Sequence, residues 1–225
     1  MISINTNYGG IFAAKASSQS QASVDSAMEK LSTGKRINFA KDDAAGQAIA
    51  TRLNAEIDGL AMASRNAADA QSMLDTAEGA LTETHTILLR MRELAVQSAN
   101  GTLTDADRDH TDAEFQQLEA EITRISDNTK WAGKALIDGS NDGSDASTKP
   151  ALSFQVGEGA NQKITVSIAG MDAADLAFTA GHSLQTAAKS QEAIALLDTA
   201  IATVSTGRGK LGAVSNRLTS TMNNL

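Results

Sequence analysis

The sequence predicts a mainly α fold, a long antiparallel helical rod built as a coiled-coil-like bundle with a small β-hairpin insertion. Three observations carry this reading. Apolar and small residues from Leu60 to Ser98 recur at alternating steps of three and four. The chain has one proline and only 3% aromatic residues, which suits alanine-rich helices in close contact rather than a core filled with rings. One stretch alone, Leu152 to Ile168, changes to a period of two.

The first segment, 1–42, is sparse in hydrophobes. Ile4, Ile11, Phe12, Val24, Met28 and Leu31 stand among Ser, Gln and Asn, too few to offset the entropy of ordering the segment alone. It is expected to be a mobile arm until a neighbouring chain covers it, with those six residues as its self-assembly contacts. The segment 43–137 carries the first long helices. The seam runs through Leu60, Ala63, Ala67, Ala70, Leu74, Ala77, Leu81, Thr84, Leu88, Met91, Ala95 and Ser98, on a helix of about 55 residues that would be about 80 Å long. Alanine buries little area, so this helix needs partners along its whole length. Asn100 and Gly101 break it. Thr104 restarts a helix as its cap, with Asp105 and Asp107 in the first turn, and Phe115, Leu118, Ile122 and Ile125 continue at helical spacing. The two helices read as an antiparallel hairpin.

The segment 138–181 is a turn-rich insertion. DGSNDGSDASTKP is followed by Leu152, Phe154 and Val156, then GEGANQK, then Ile164, Val166 and Ile168, two short strands of a hairpin. The segment 182–225 is a return helix with Leu184, Ala187, Ile194, Leu197, Ile201, Val204, Leu211, Val214, Leu218, Met222 and Leu225 on its seam. It reaches Leu225 still apolar and uncapped, so further chain is expected beyond it.

Catalytic chemistry finds little to stand on. A net charge of -8 argues against nucleic acid as a main partner. No stretch is apolar for the roughly 20 residues of a spanning helix, and no membrane partner is expected. Zero cysteines leave neither disulfide nor thiolate site. In LSTGKRINFAKDDAAG, Glu29 stands where a phosphate loop needs its first glycine and Arg36 where it needs Ser or Thr. Asp107, His110 and Glu114 share a helix face but read as solvated surface. The glycosylation pattern at Asn100-Gly101-Thr102 reads as a plain turn, and no serine sits in a glycine elbow. No catalytic residue, cofactor or metal is expected; the function lies in surfaces.

INTN near the start, LSTGKRINFAKDDAAGQAIA (31–50), SRNAADAQSMLDTAEGAL (64–81), RMRELAVQSANGT (90–102) and STGRGKLGAVSNRLTSTMNNL (205–225) follow one another in the order and spacing of a known family. On these blocks the sequence resembles bacterial flagellin, the filament subunit of the flagellum, over most of the chain except roughly 138–180. The resemblance implies a secreted, extracellular subunit that self-assembles into a helical tube for motility, with a minimal outer domain and without the family's C-terminal tail helix. It makes the 31–46 block the connector between the inner helix and the outer rod. Implied partners are other flagellin subunits, hook-associated and cap proteins, the flagellar type III export apparatus, and a Toll-like receptor of innate immunity. For that receptor the resemblance points to Arg90, Leu94 and Gln97, one step off the seam, with Glu114 beside them on the neighbouring helix. Alternatives are a hook-filament junction protein of the same fold, an intracellular coiled-coil adaptor and a secreted helical enzyme; the last lacks any convergent polar constellation.

Overall fold

The computed structural model describes residues 7–145, 147, 149–178 and 183–225. The chain divides into two units, one ending at Asp58 and the other running from Gly59 to Leu225. The sequence placed its first boundary at 42–43. The division at Asp58 falls inside a helix, none of whose side chains before Ala63 is buried.

The first unit holds α1 (Tyr8–Thr33) and the start of α2 (Ala44–Ser98). Asn7 caps α1, its Oδ1 accepting the Gly10 N–H at 3.0 Å, and Lys30 sits in the last turn, where a cation suits the helix dipole. The arm expected to lack fixed structure alone is helical from Tyr8 to Thr33, with no buried residue. Ile4 lies outside the described residues.

The second unit is built on the remainder of α2, on α3 (Asp105–Asn128) and on α4 (Ala187–Asn224). Every seam residue expected on α2 from Ala63 to Ser98 is buried, and Leu60 is half-buried. Met73 and Leu94 are buried as well. Both sit one step beside the seam, as a helix covered over a wide arc requires and a two-helix seam does not. Cross-links between α2 and α4 fix an antiparallel register. Gln71 Nε2 donates to Ser215 Oγ at 2.9 Å, and two turns on, Arg208 Nε donates to Glu78 Oε1 at 2.8 Å.

The hairpin of α2 and α3 is closed by the predicted cap and by an arginine. Thr104 and Asp107 form a capping box. Arg108, buried, donates through Nε to the Ser98 carbonyl and through Nη2 to the Asn100 carbonyl, both at 3.0 Å, and so satisfies acceptors left open by the end of α2. At the same end Leu184 is held from two helices. Its N–H donates to Asp112 Oδ1 at 2.6 Å, and its carbonyl accepts from Ser98 Oγ at 2.7 Å.

The predicted hairpin is present as β3 (Leu152–Gln155) and β4 (Lys163–Val166), antiparallel, with Leu152 opposite Val166 and Phe154 opposite Ile164. A second, unpredicted pair precedes it. β1 (Lys130–Trp131) and β2 (Lys134–Ala135) flank a turn in which Ala132 and Gly133 have φ of 48° and 82°, the torsions of a type I′ connection. The helical part of the 43–137 segment therefore stops at Asn128. Phe115 of α3 meets Phe178 of the insertion edge to face, centroids 6.5 Å apart. Thr186 caps α4, its hydroxyl accepting from the Lys189 N–H, so the return helix begins later than 182; His182 lies outside the described residues.

Candidate assembly and recognition surfaces

Three groups of residues stand out, two in the first unit and one in the second. On α1, Ile11, Phe12, Val24, Met28 and Leu31 are all exposed, Phe12 at 75% and Leu31 at 80%. Val24, Met28 and Leu31 follow the i, i+4, i+7 spacing of one helix face, and Ser17, Ser18, Gln19, Ser20 and Gln21 fill the polar stretch between the two apolar groups. A helix this long with nothing buried gains no packing free energy from its own chain. These exposed apolar residues leave α1 with an uncovered apolar face.

The connector between α1 and α2 is a built turn. Thr33 Oγ1 donates to Asn38 Oδ1 at 2.9 Å, and Asp42 Oδ2 accepts the N–H groups of Asn38 and Phe39. The Phe39 and then the Asn38 N–H hold the Asp42 carboxyl below its ordinary value. Asp43 has a different task. Its Oδ1 accepts the Gly46 N–H at 2.9 Å at the start of α2. A Cβ on Gly46 would stand 2.5 Å from Asp43 Oδ2 and 2.8 Å from the Ile37 Cδ1 atom, so a larger residue there requires those two side chains to shift and disturbs the Asp43 cap. Lys41 Nζ lies 4.9 Å from the Phe39 ring centroid. The doubled aspartate of the sequence thus ties the turn with one residue and caps the helix with the next.

In the second unit, α2 and α3 bring Arg90 and Glu114 together. Arg90 Nη2 is 2.9 Å from Glu114 Oε1, and Nη1 is 3.2 Å from Glu93 Oε2. Hydrogen bonds from Glu114 first and then Glu93 raise the Arg90 pKa above its ordinary value. Gln97 is exposed nearby in sequence on the same helix. Leu94 is not available on that surface. It is 2% exposed and belongs to the core, which corrects the expectation of an accessible off-seam leucine. Glu93, which the sequence reading did not name, was legible as the i+3 partner of Arg90.

Among the described residues no group of three His, Cys, Asp or Glu side chains is placed to hold a metal ion. No helix there is long and apolar enough to cross a membrane. Asp107 is engaged with Thr104, and Glu114 with Arg90. An uncovered apolar helix, a tied connector and a helical bundle define a structural building block whose work is contact with other chains.

Comparison with known proteins gives that class its family. The bacterial flagellin N-terminal helical region matches residues 4–142, and the bacterial flagellin C-terminal helical region matches residues 194–225. A flagellin of Halalkalibacterium halodurans is 44% identical over 200 residues, covering 88% of this chain and 71% of that one. A flagellin of Bacillus subtilis is 41% identical, covering 99% of this chain and 81% of the relative. The crystal structure of Bacillus cereus flagellin superposes with a TM-score of 0.60 at 32% identity, over 72% of this chain and 89% of that one. The chain belongs to the bacterial flagellin family, structural subunits that polymerise into the flagellar filament, a surface appendage for motility. The names of these relatives favour the filament subunit over the junction adaptor.

Proposed function

We propose that α1 is the part of this subunit that completes its fold only in the filament, by laying Ile11, Phe12, Val24, Met28 and Leu31, together with Ile4, against adjacent copies. One observation carries the reading: α1 runs from Tyr8 to Thr33 without a buried residue while presenting these side chains to solvent. Burying one such side chain fully is worth about 1.5–3 kcal/mol, a contribution toward the ordering entropy of α1 that a lone chain cannot make. Repetition of one non-closing contact then generates a helical tube. The test is addition of the full chain to preformed filament seeds, followed by electron microscopy. Phe12→Asp or Leu31→Asp is expected to abolish incorporation while leaving the circular dichroism of the bundle intact; growth at the unsubstituted rate contradicts the reading.

The finer partners follow the same logic. An extracellular destination reached through the flagellar type III export apparatus is supported by the absence of cysteine, since no cross-link hinders passage of an unfolded chain. Hook-associated and cap proteins would meet the same α1 face at the filament's ends. A Toll-like receptor would engage the surface around Arg90, Gln97 and Glu114, where a charged pair stands exposed on two adjoining helices. Arg90→Ala and Gln97→Ala are expected to weaken binding to the receptor ectodomain with unchanged helicity, and unchanged affinity in both rejects this site.

A further inference from the structure

The turn between α2 and α3 contains the chain's single Asn-Gly pair, Asn100-Gly101. Both residues are exposed, and a Cβ on Gly101 would meet nothing within 4 Å. The Gly101 N–H donates no hydrogen bond among those of the turn, where the donors are Asn100, Thr102 and Leu103. The Asn100 side chain is folded forward over this backbone, its Oδ1 accepting the Thr102 N–H at 3.2 Å. These features assemble a nucleophile, an electrophile and an oxyanion donor within three consecutive residues.

We propose that Asn100 is a self-modifying site that converts to aspartate and isoaspartate in the folded subunit. Base removes the Gly101 N–H proton, and the nitrogen attacks Asn100 Cγ, forming an N–Cγ bond. Negative charge develops on Oδ1, where the Thr102 N–H already points, so the turn stabilises the tetrahedral state as a preorganised donor. The Cγ–Nδ2 bond then breaks, nitrogen leaves as ammonia after taking up a proton, and the ring is a succinimide. One water opens it at either carbonyl, giving aspartate or, with the main chain rerouted through Cγ, isoaspartate. No oxidant, reductant or enzyme is required. Every other asparagine is followed by a residue that carries a Cβ, which crowds the attack, and Asn54, Asn66 and Asn216 also lie within helices, whose backbone holds the amide away from it.

The product matters structurally because Asn100 sits where α2 is capped. Its carbonyl accepts from Arg108 Nη2 and from the Leu103 N–H. Isoaspartate adds a methylene to the main chain at that point and displaces this acceptor, and either product adds a carboxylate at the negative end of the α2 dipole.

The test is incubation of the full folded chain at mildly alkaline pH, followed by peptide mapping with mass spectrometry and enzymatic methylation of isoaspartate. Asn100 is expected to convert before any other asparagine, severalfold more slowly in Gly101→Ala, and at least as fast in the folded chain as in the urea-unfolded one. Three results would overturn the proposal: an unchanged rate in Gly101→Ala, another asparagine converting first, or slower conversion in the folded chain than in the unfolded one.

Discussion

Ala132 holds a φ of 48° at the first position of a type I′ turn, where Asn or Gly relieves the crowding between Cβ and carbonyl. Ala132→Asn is therefore expected to stabilise the chain by about 1 kcal/mol, read as a higher thermal midpoint; a fall in the midpoint contradicts the strain. The same residue explains why β1 and β2 were not legible: Ala-Gly is no turn signal, and two-residue strands have no period to detect. Thr104 was legible because a hydroxyl followed by acidic residues marks a helix start. Thr104→Ala is expected to cost about 1 kcal/mol by chemical denaturation. Its partner Asp107 titrates below its ordinary value because the Thr104 hydroxyl and then the Thr104 N–H bond to it. A depressed folded value means the unfolded state binds the proton more tightly, so the contribution is full above the ordinary carboxylate range and is lost as pH falls through the folded value. The stability gap between the parent and Asp107→Asn should accordingly close in strong acid. A gap independent of pH counts against the capping box.

At the scale of elements, α2 was the most legible feature, since its seam of small and apolar residues spans many turns and leaves one reading of the period. Met73 was left off the seam and Leu94 was read as surface because seam logic assumes a narrow contact, whereas the α2 stripe in this unit is wider. The distinction has a measurable consequence. Leu94→Ala is expected to lower stability by about 2–5 kcal/mol, as a buried truncation does, while Arg90→Ala, on an exposed ion pair, leaves the urea midpoint almost unchanged. Equal and small effects would return Leu94 to the surface. Asp112 and Arg108 were legible only as polar residues on a helix, and Ser98 only as a small residue of the seam. Their roles depend on Leu184 and on the end of α2 arriving at one place, which no local pattern encodes.

For the molecule as a whole, the family blocks made the fold and the filament role legible, while the α1 surface left only a negative sign in the chain, namely hydrophobes too sparse to pack. The structure gives that sign a location: α1 buries nothing, whereas α2 from Ala67 onward, α3 and α4 share one core. The central claim is that α1 gains its stability from neighbouring subunits. Amide hydrogen exchange on a dilute monomer and on assembled filament tests it most directly. The account expects Tyr8–Thr33 to exchange rapidly in the monomer, Ala63–Ser98 to be protected in both, and α1 to gain protection on assembly. Protection of α1 in the monomer equal to that of the α2 seam would contradict it.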